Sequence, residues 1–499
     1  MERRAFFRTT MAAAVAASVP RRAFATSPWT STQDPVDVIA VRGDGSKVTI
    51  KAAALKELRN NLRGRLLLSS SEGYEEARHV LNPSINKRPA FIVQATGTAD
   101  VRTAIAFARE SSLLVAVKCG GHSFSGQSTC DSGMMLDLSP FRAARIDPVT
   151  RRAWVAGGTL LGQVDHEALS HGLVTTMGTV SHTGVGGLTT GGGFGRLARK
   201  FGLAIDNLLS VDVVTADGAF RHASKDENPD LFWGVRGGGG NFGVVTSFEF
   251  RLHPMNRKVI GGDIVFPITR ARDVLNFYAD YSLKAPDDLY VDYGMVLPPG
   301  GAAGATTLSV CYAGPESAAS RALDPIRKLG TPLADNIRSM DYADLQRSGD
   351  VSDPRAMGTY LKSGFTTRFT PELITAIVEG FEPHPARATL LFTQHCGGAI
   401  GRVATEDAAF AHRDAQHNLL TAVAWKAGDD SAPHMKRARD YWATLEPFTS
   451  GWYVNEVADE SAGVINANYR QNYKRLVEVK TKYDPTNLFR LNANVKPTG

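Results

Sequence analysis

Three glycine-rich stretches are the part of this 499-residue chain whose residue types and spacing point to chemistry. They span residues 119–126, 184–195 and 237–243. Where Cβ atoms are missing, consecutive backbone N–H groups can approach a phosphate closely, so such loops are typical of nucleotide sites. A single loop of this kind is usually a turn. Three of them, about 60 residues apart and each beside a strand, indicate a nucleotide cofactor.

A histidine lies inside the first stretch. In Cys119-Gly120-Gly121-His122-Ser123 the glycines follow a strand-like run, so the imidazole of His122 would lie at the mouth of the cofactor site. Taken alone, a histidine in a loop is more often exposed to solvent than functional. Cys119 and His122 would supply only two of the three or four ligands that a zinc site needs, so no metal site is predicted.

Other catalytic signatures fit this sequence poorly. Gly193-Phe194-Gly195-Arg196-Leu197-Ala198 matches the G-x-G-x-x-A pattern of Rossmann domains, but glycines precede it where that fingerprint requires an apolar strand. Around Ser123 the second glycine of a serine-hydrolase elbow is missing. An NAD-dependent Rossmann enzyme is the competing interpretation of the glycines.

The elements that would position these stretches alternate between strands and helices. Strand-like apolar runs occur at residues 89–93, 113–117, 134–138, 152–156 and 208–215, with helical spacing over 101–108 and 159–170. A second domain over a sheet is suggested by strand-like runs at 259–266, 289–297 and 307–312. The last 49 residues contain a periodic helix at 468–483, which Asp484-Pro485 stops.

The N terminus has the pattern of an export signal. Residues 1–25 combine Arg3-Arg4, an alanine-rich apolar stretch and Ala23-Phe24-Ala25, which is typical of a twin-arginine signal with its cleavage site. The protein is therefore expected to be exported folded and to be periplasmic or secreted. The signal carries +4 of the formal +6, and the small remainder argues against a nucleic-acid surface. No later apolar run reaches the roughly 20 residues of a membrane span.

Length and cysteine content set further limits. Without the signal, 474 residues remain, enough for two or three domains. Four cysteines are too few for a disulfide scaffold. Export permits a bridge between Cys119 and Cys130, but spacing alone leaves that open.

Six motifs in one order resemble the berberine bridge enzyme-like FAD-linked oxidases, within the vanillyl-alcohol oxidase or PCMH-type superfamily. They are residues 89–110, 118–123, 184–195, 230–238, 241–246 and 482–490. The resemblance runs from about residue 85 to the C terminus, and it implies an α+β fold. A two-subdomain FAD-binding domain would be joined to a substrate domain in which helices pack on an antiparallel sheet. The implied segments are a signal (1–25), an N-terminal segment (26–84), the FAD domain (85–255), the substrate domain (256–450) and a C-terminal segment returning to the FAD domain (451–499).

The resemblance implies that the cofactor is FAD and that His122, in the family's G-G-H motif, is bonded to the flavin C8α methyl. Many relatives add a second bond from a cysteine in a G-x-C-x-x-x-G-V-G-G loop. Here that loop is residues 178–187, and Val180 occupies the cysteine position, so a single histidyl link is predicted. The other positions expected at the FAD site are Gly120, Gly121, Ser123, Gly126, Gly178, Gly184, Gly186, Gly187, Gly191, Gly192, Gly195, Gly243, Val245, Asn455, Asn492 and Asn494.

The family chemistry implies hydride transfer from a C–H bond to flavin N5, while a base takes a proton from a hydroxyl group. Tyr453, in a segment similar to the family's Y-x-N, is the first candidate base. A phenol pKa of about 10 would have to be lowered, and Lys362 could supply the charge. Glu456 could orient the base or replace it. Gln394 and His395 resemble a strand that faces the flavin, as substrate contacts or as satisfied sheet residues.

The sequence thus predicts an FAD-dependent oxidase of a hydroxyl-bearing small molecule, either a sugar or a secondary metabolite, with O2 as electron acceptor. One alternative is a flavin dehydrogenase that passes electrons to another acceptor. A second is an exported sugar-binding module without catalysis. The oligomeric state is not determined by the sequence.

Overall fold

Short apolar runs near the N terminus build the first subdomain. The computed structural model describes residues 34–350, 353, 355–456 and 462–498, and the signal expected at 1–25 lies outside them. Strands β4, β6 and β5 are parallel, and β3 is antiparallel to β4. The elements are β1 (Val38–Val41), β2 (Lys47–Ile50), α1 (Ala52–Asn60), β3 (Arg65–Leu68), α2 (Tyr74–Arg78), β4 (Phe91–Gln94), α3 (Thr98–Glu110), β5 (Val115–Lys118) and β6 (Met134–Asp137).

The N-terminal segment is part of this subdomain. Strand β3 pairs with β4, and the β1–β2 hairpin joins the same core through Ala40 and Ile50. The boundary expected at residue 85 therefore lies too late, because the described residues from 34 onward already belong to the first subdomain. A four-residue strand such as β3 carries too little periodicity to be told from a linker.

The second subdomain is an antiparallel sheet of order β11-β10-β12-β8-β7. Its core packs α4 and α7 against the sheet through residues such as Val164 and Phe232. The elements are β7 (Ala144–Asp147), β8 (Arg152–Ala156), α4 (Leu161–Leu169), β9 (Leu173–Val174), α5 (Val185–Gly191), α6 (Ala198–Phe201), β10 (Leu208–Val214), β11 (Phe220–Ser224), α7 (Pro229–Val235), β12 (Val244–Arg251) and β13 (His253–Pro254).

The second glycine stretch differs from the loop expected for it, because more than half of it is helix α5. Glycine in a helix costs roughly 1 kcal/mol relative to alanine, so its sequence argued against a helix. Tertiary contacts override that preference. Val185 is fully buried, and its N–H donates to the Thr159 carbonyl at 2.9 Å.

The substrate domain is one antiparallel sheet of order β17-β14-β16-β15-β20-β21-β19, with β18 also paired to β14. Helices α8, α11 and α12 cover one face of this sheet and enclose the largest core. The elements are β14 (Lys258–Pro267), α8 (Ala271–Tyr281), β15 (Leu289–Leu297), β16 (Ala305–Tyr312), α9 (Ala319–Arg327), β17 (Ala334–Asp335), β18 (Arg338–Asp341), α10 (Tyr342–Arg347), β19 (Met357–Thr366), α11 (Pro371–Gly380), β20 (Arg387–His395), β21 (His417–Lys426) and α12 (Ala432–Leu445). This confirms the predicted α+β fold class.

The C-terminal segment returns to the FAD domain through α13 (Ala462–Asn468) and α14 (Tyr473–Tyr483). The single helix expected at 468–483 is therefore interrupted before Tyr473. Lys480 is fully buried and lies 2.6 Å from an Asp484 oxygen, and its ammonium also donates to the carbonyls of Asn241 and Phe489. These contacts fasten the segment to the third glycine stretch.

The described residues contain no helix that could span a membrane, no cluster of metal ligands and no disulfide bond. No helix within those ranges has the length and apolar character that crossing a bilayer requires. In the same ranges no group of three or more His, Cys, Asp and Glu side chains is arranged to hold a metal ion. Cys119, Cys130, Cys311 and Cys396 all have free thiols, so the bridge left open by the sequence is not formed.

Candidate functional site

The three glycine stretches meet in space. A Cβ on Gly120 would lie 2.3 Å from the backbone nitrogen of Gly184, so the first two stretches approach as only glycine allows. The third stretch joins them through Gly237, whose N–H donates to the Thr190 carbonyl at 3.0 Å. Backbone from three separate parts of the chain therefore converges on one place.

The C-terminal segment closes this place from the other side. A Cβ on Gly191 would lie 2.4 Å from the amide group of Asn455, and the Asn455 Nδ2 donates to the Leu188 carbonyl at 3.2 Å. Asn241 of the third stretch donates from Nδ2 to the Ala493 carbonyl at 2.9 Å. Asn455, which the sequence predicted at the cofactor site, therefore packs against the second glycine stretch.

The surroundings of these loops fit a nucleotide cofactor. A Cβ on Gly187 or Gly239 would meet no atom within 4 Å, so these backbone positions border open space. Within the described residues, the Oδ1 atoms of Asn492 and Asn494 and the Oγ1 of Thr189 are buried without a hydrogen-bond partner. Since buried polar atoms are normally paired, hydroxyl and amino groups of a bound FAD are fitting partners for them.

Other predicted cofactor positions have local structural roles. A Cβ on Gly195 would lie 1.6 Å from the Met177 carbonyl oxygen, so this glycine permits close backbone packing. Ser123 accepts a hydrogen bond from the Gln127 amide at 3.0 Å. The structure places the remaining positions in or beside the three stretches: Gly121, Gly126, Gly178, Gly186, Gly192, Gly243 and Val245.

His122 lies in the first stretch and contacts a second histidine. Its Nε2 is 2.6 Å from Nδ1 of His182, and its Nδ1 is 3.2 Å from Oγ1 of Thr183. Burial, with a smaller contribution from His182, lowers the pKa of His122 to about 3. The imidazole is therefore neutral at physiological pH and keeps a lone pair on one nitrogen. His182 was not among the predicted residues, although it lies in the 178–187 stretch.

No thiol stands where many relatives have their second flavin bond. Val180 and its neighbour Thr179 line a cavity of about 420 Å³ beside the substrate-domain sheet. Burial raises the pKa of Cys119 to about 11 and that of Cys130 to about 12. Both thiols are therefore protonated near neutral pH and poor nucleophiles.

Glu456 forms a buried polar cluster with two amides of the sheet. Its two carboxylate oxygens accept from Nε2 of Gln394 at 3.2 Å and from Nδ2 of Asn418 at 2.8 Å. Burial raises the pKa of Glu456 to about 7, and among the described residues no ion pair compensates its charge. Asn418 was not predicted, because it is an ordinary position in strand β21. The contact with Glu456 shows that the Gln394 side chain faces the C-terminal segment, and its expected role as a substrate contact stays a prediction.

The environment of Tyr453 is the opposite of what a phenolic base needs. Its hydroxyl accepts from the Gly193 N–H at 3.0 Å and from Nδ2 of Asn455 at 2.7 Å. Burial raises its pKa well above the ordinary value, where the prediction required a lower one. Its ring packs edge-on against Phe194, with 5.0 Å between centroids. The ring of Tyr453 therefore borders the site, and its hydroxyl accepts hydrogen bonds there.

His395 and Lys362 do not join the cluster, which corrects two predictions. Side chains alternate along a strand, so His395 lies on the opposite face of β20 from Gln394. His395 is buried beneath helix α8, where its Nε2 donates to the Ser282 carbonyl at 3.0 Å. In the β19–β21 register Lys362 is paired with Thr421, on the helix-covered face that includes Leu419. Neither side chain faces the FAD domain.

Comparisons with known proteins agree with this arrangement. Residues 89–224 match the model of the FAD binding domain family, and residues 452–496 match the berberine and berberine-like family. An FAD-linked oxidoreductase of Dictyostelium discoideum is 30% identical over 89% of this chain and 97% of its own length. The (R)-6-hydroxynicotine oxidase of Paenarthrobacter nicotinovorans is 29% identical over 88% of this chain and 98% of its length.

Two solved structures resemble the whole fold. The crystal structure of 6-hydroxy-D-nicotine oxidase from Arthrobacter nicotinovorans superimposes with a TM-score of 0.80 at 28% identity, covering 88% of this chain and 98% of that one. The xylooligosaccharide oxidase of Myceliophthora thermophila C1, solved with xylobiose, gives 0.78 at 25% identity, covering 89% and 100%. Similarity of this extent includes both the FAD domain and the substrate domain.

Proposed function

We propose that this chain, which belongs to the berberine bridge enzyme-like FAD-linked oxidoreductases, oxidises a hydroxyl-bearing small molecule with Glu456 as the base. The observation that carries the proposal is the carboxyl of Glu456, which is buried, accepts hydrogen bonds from the amides of Gln394 and Asn418 and has a pKa of about 7. Bound FAD supplies the acceptor, at N5, for the hydride that leaves the substrate carbon. Residues of the C-terminal segment and of the substrate sheet supply the remainder of the site.

Glu456 is the residue that accepts the proton of the substrate hydroxyl. A carboxyl with a pKa of about 7 populates both protonation states near neutral pH, so it can accept a hydroxyl proton and release it later. The amides of Gln394 and Asn418 orient the two oxygens of the carboxylate. Among the described residues the Oδ1 of Asn418 has no partner, and it is placed to accept from another substrate hydroxyl. The aromatic rings of Phe194 and Tyr453 keep water away from the same region.

A single covalent link through His122 is part of the proposal. Formation of that link requires a neutral imidazole with an available lone pair, and the pKa of about 3 provides one. The second link that many relatives carry would require a thiolate at residue 180, where this chain has Val180. The protonated state of Cys119 argues against a substitute from a neighbouring loop.

The names of similar proteins support the substrate class and the electron acceptor. One similar protein is named as an oxidase of 6-hydroxynicotine, and another as an oxidase of xylooligosaccharides. Both substrates carry hydroxyl groups. We therefore propose that O2 reoxidises the reduced cofactor, and that the substrate is a sugar or a hydroxylated secondary metabolite.

Export is proposed on the sequence of residues 1–25 alone. The paired arginines at 3 and 4 predict passage through the twin-arginine route, which carries folded proteins. Replacing both with lysine should retain the yellow protein in the cytoplasm, as measured by cell fractionation. Continued secretion of that variant would contradict the proposal.

The decisive experiment follows the colour of the holoenzyme. Oligosaccharides and hydroxylated heterocycles are added to the yellow protein without oxygen, and bleaching of the flavin absorbance identifies a substrate. Recovery of the colour within seconds of adding air supports an oxidase, whereas recovery only with an added electron-accepting dye supports a dehydrogenase. Failure of the whole panel to bleach a fully loaded protein would favour a sugar-binding protein without catalysis.

The tether is tested by acid precipitation. In the wild type the yellow colour should remain with the protein pellet, and in His122→Ala it should pass to the supernatant. A colourless pellet from the wild type would contradict the covalent link while leaving FAD binding intact. A coloured pellet from His122→Ala would place the link on another residue.

A further inference from the structure

The imidazole of His182 lies next to that of His122, the residue predicted to bond to the flavin. Nε2 of His122 and Nδ1 of His182 are 2.6 Å apart, and the ring centroids are 4.6 Å apart. The other nitrogen of His122 lies 3.2 Å from the hydroxyl of Thr183. At 2.6 Å one nitrogen of the pair must carry the shared proton, and the other must accept it. The two rings therefore form a proton-sharing pair.

We propose that His182 is a positioning residue that takes the proton from His122 when that histidine bonds to the flavin. The inference rests on the proposed function, because it requires the link through His122. It adds a residue and a role to that link. His182 needs no contact with the cofactor, since it acts through the Nε2 of His122.

His122 bonds through Nδ1 to the C8α methyl carbon of FAD, one C–H bond of that methyl breaks, and the Nε2 proton passes to His182. The two electrons of that C–H bond would remain on the flavin ring, and the methyl proton and the His122 proton are released. The ring would take up two protons from solvent in their place and would be left reduced. Dioxygen then accepts these two electrons and two protons, giving hydrogen peroxide and the oxidised ring. The Thr183 hydroxyl holds Nδ1 until the step occurs.

The loop that carries His182 is anchored on both sides, as a positioning role requires. Ser181 donates from its backbone N–H to Asp350 at 2.7 Å and from its hydroxyl to the same carboxylate at 2.5 Å. Asp350 belongs to the substrate domain, so the second domain holds the loop in place. On the other side the Leu161 N–H donates to the Thr183 carbonyl at 2.9 Å.

His182 also has a route for the proton it accepts. It lines a cavity of about 500 Å³ together with Gln163, His166, Glu167 and Arg142. A proton taken from His122 can therefore pass to water and to polar side chains in that cavity. Residues of α4 and α10 line this cavity on one side of His182. The cavity therefore gives the proton a path away from the two histidines, which a fully packed core would not.

The test compares covalent and total FAD in the holoenzyme. His182→Ala and His182→Gln are purified with bound FAD, and the covalent fraction is followed over time in air by flavin fluorescence in denaturing gels. We expect both variants to stay yellow after gel filtration while the link forms at least about tenfold more slowly than in the wild type, since a positioned base contributes 10²–10⁴-fold. Added imidazole should accelerate linkage in His182→Ala, where the cavity is enlarged.

The controls separate a proton-accepting role from a structural one. Thr183→Val removes the contact with the other nitrogen of His122 and should change the rate much less. Linkage in His182→Ala at the wild-type rate would overturn the inference. So would slow linkage that imidazole does not accelerate in a variant that binds FAD normally. If the wild type carries no covalent flavin at all, the proposed link itself has failed, and its FAD binding and substrate bleaching are then judged separately.

Discussion

Two buried carboxyl groups of the C-terminal segment have opposite surroundings. Asp484 lies 2.6 Å from the ammonium of Lys480, and its oxygens also accept from the N–H groups of Leu488 and Phe489. Glu456 receives hydrogen bonds from neutral amide side chains. Burial is similar for the two groups, so the difference lies in the compensation of charge. A compensated carboxylate is a structural fastening, whereas an uncompensated one is held near neutrality and is available for proton transfer.

The comparison also locates the two tasks in the fold. The Asp484 pair fastens the C-terminal segment to the third glycine stretch. Glu456 lies where the same segment passes the sheet, opposite Gln394 and Asn418. The C-terminal segment therefore supplies stability at one end and the proposed base at the other.

The largest expected effect is on the rate, from Glu456→Gln. The amide is nearly the same size but cannot accept a proton, so anaerobic flavin reduction should slow by about 10²–10⁴-fold. Thermal stability should be unchanged or higher, because a buried acid is replaced by a neutral group. Stopped-flow absorbance measures the rate. Glu446→Gln, on the exposed surface, is the matched control, and a Glu456→Gln rate within threefold of it would remove Glu456 as the base.

The reverse pattern is expected for Lys480→Met. Removing the ammonium leaves the buried Asp484 without its counter-charge, which costs about 3–5 kcal/mol and should lower the thermal midpoint by roughly 10 °C. The rate of flavin reduction per bound FAD should stay near the wild-type value. Lys482→Met is the control, since Lys482 is largely exposed in its pair with Asp230. Equal shifts in the two variants would contradict the fastening role of Lys480.

The pH dependence of the two properties should run in opposite directions. The carboxyl of Glu456 has a pKa of about 7 in the folded state and about 4.3 when unfolded, so the folded state binds its proton more tightly. Stability should therefore fall as the pH rises between these values, by about 4 kcal/mol, while the reduction rate rises with the ionised base. Thermal midpoints and stopped-flow rates over this range measure both. In Glu456→Gln the trend in rate should disappear, and its persistence would assign it to another group. The fall in stability should only become smaller, because burial also raises the pKa of Asp165 and that of Asp292 to about 7.

The smallest effect is expected for Tyr453→Phe. Loss of the hydroxyl leaves the Gly193 N–H without its acceptor, which costs about 1–3 kcal/mol. Flavin reduction should slow less than about tenfold, because burial raises the pKa of Tyr453 and keeps the phenol protonated. Rates and midpoints are compared with those of Glu456→Gln. A loss of 100-fold or more in Tyr453→Phe, about what a general base contributes, would restore Tyr453 as the base.

The sequence predicted the three glycine stretches at the cofactor site better than the polar cluster around Glu456. The spacing of the glycines was sufficient to predict the loops at the cofactor site, because two backbone segments can approach this closely only where the residue is glycine. The residue types around Glu456 did not reveal its partners, because Gln394 lies 62 residues away in the sequence and Asn418 lies 38 residues away. His182 lies 60 residues from His122, and nothing in its own neighbourhood indicated the contact.

Errors in the site predictions came from strand faces. His395 was chosen with its neighbour Gln394 on a strand expected to face the flavin, and Lys362 was chosen as a positive charge that could lower the pKa of Tyr453. Side chains of adjacent strand residues point to opposite faces, so a shift of one position moves a residue from the site into the helix-covered core. The early boundary of the FAD domain was missed because β3 is only four residues long.

By itself the sequence determined the fold class, the glycine stretches that meet around the cofactor, the position of His122 and the absence of a cysteine at residue 180. These features follow from residue types that local backbone geometry or bond formation requires. Only the tertiary structure decided that Glu456 is buried among amide side chains, which histidine lies beside His122 and which face of the sheet each strand residue occupies. Those properties depend on what distant segments bring to a side chain, because burial and compensation of charge are set by packing.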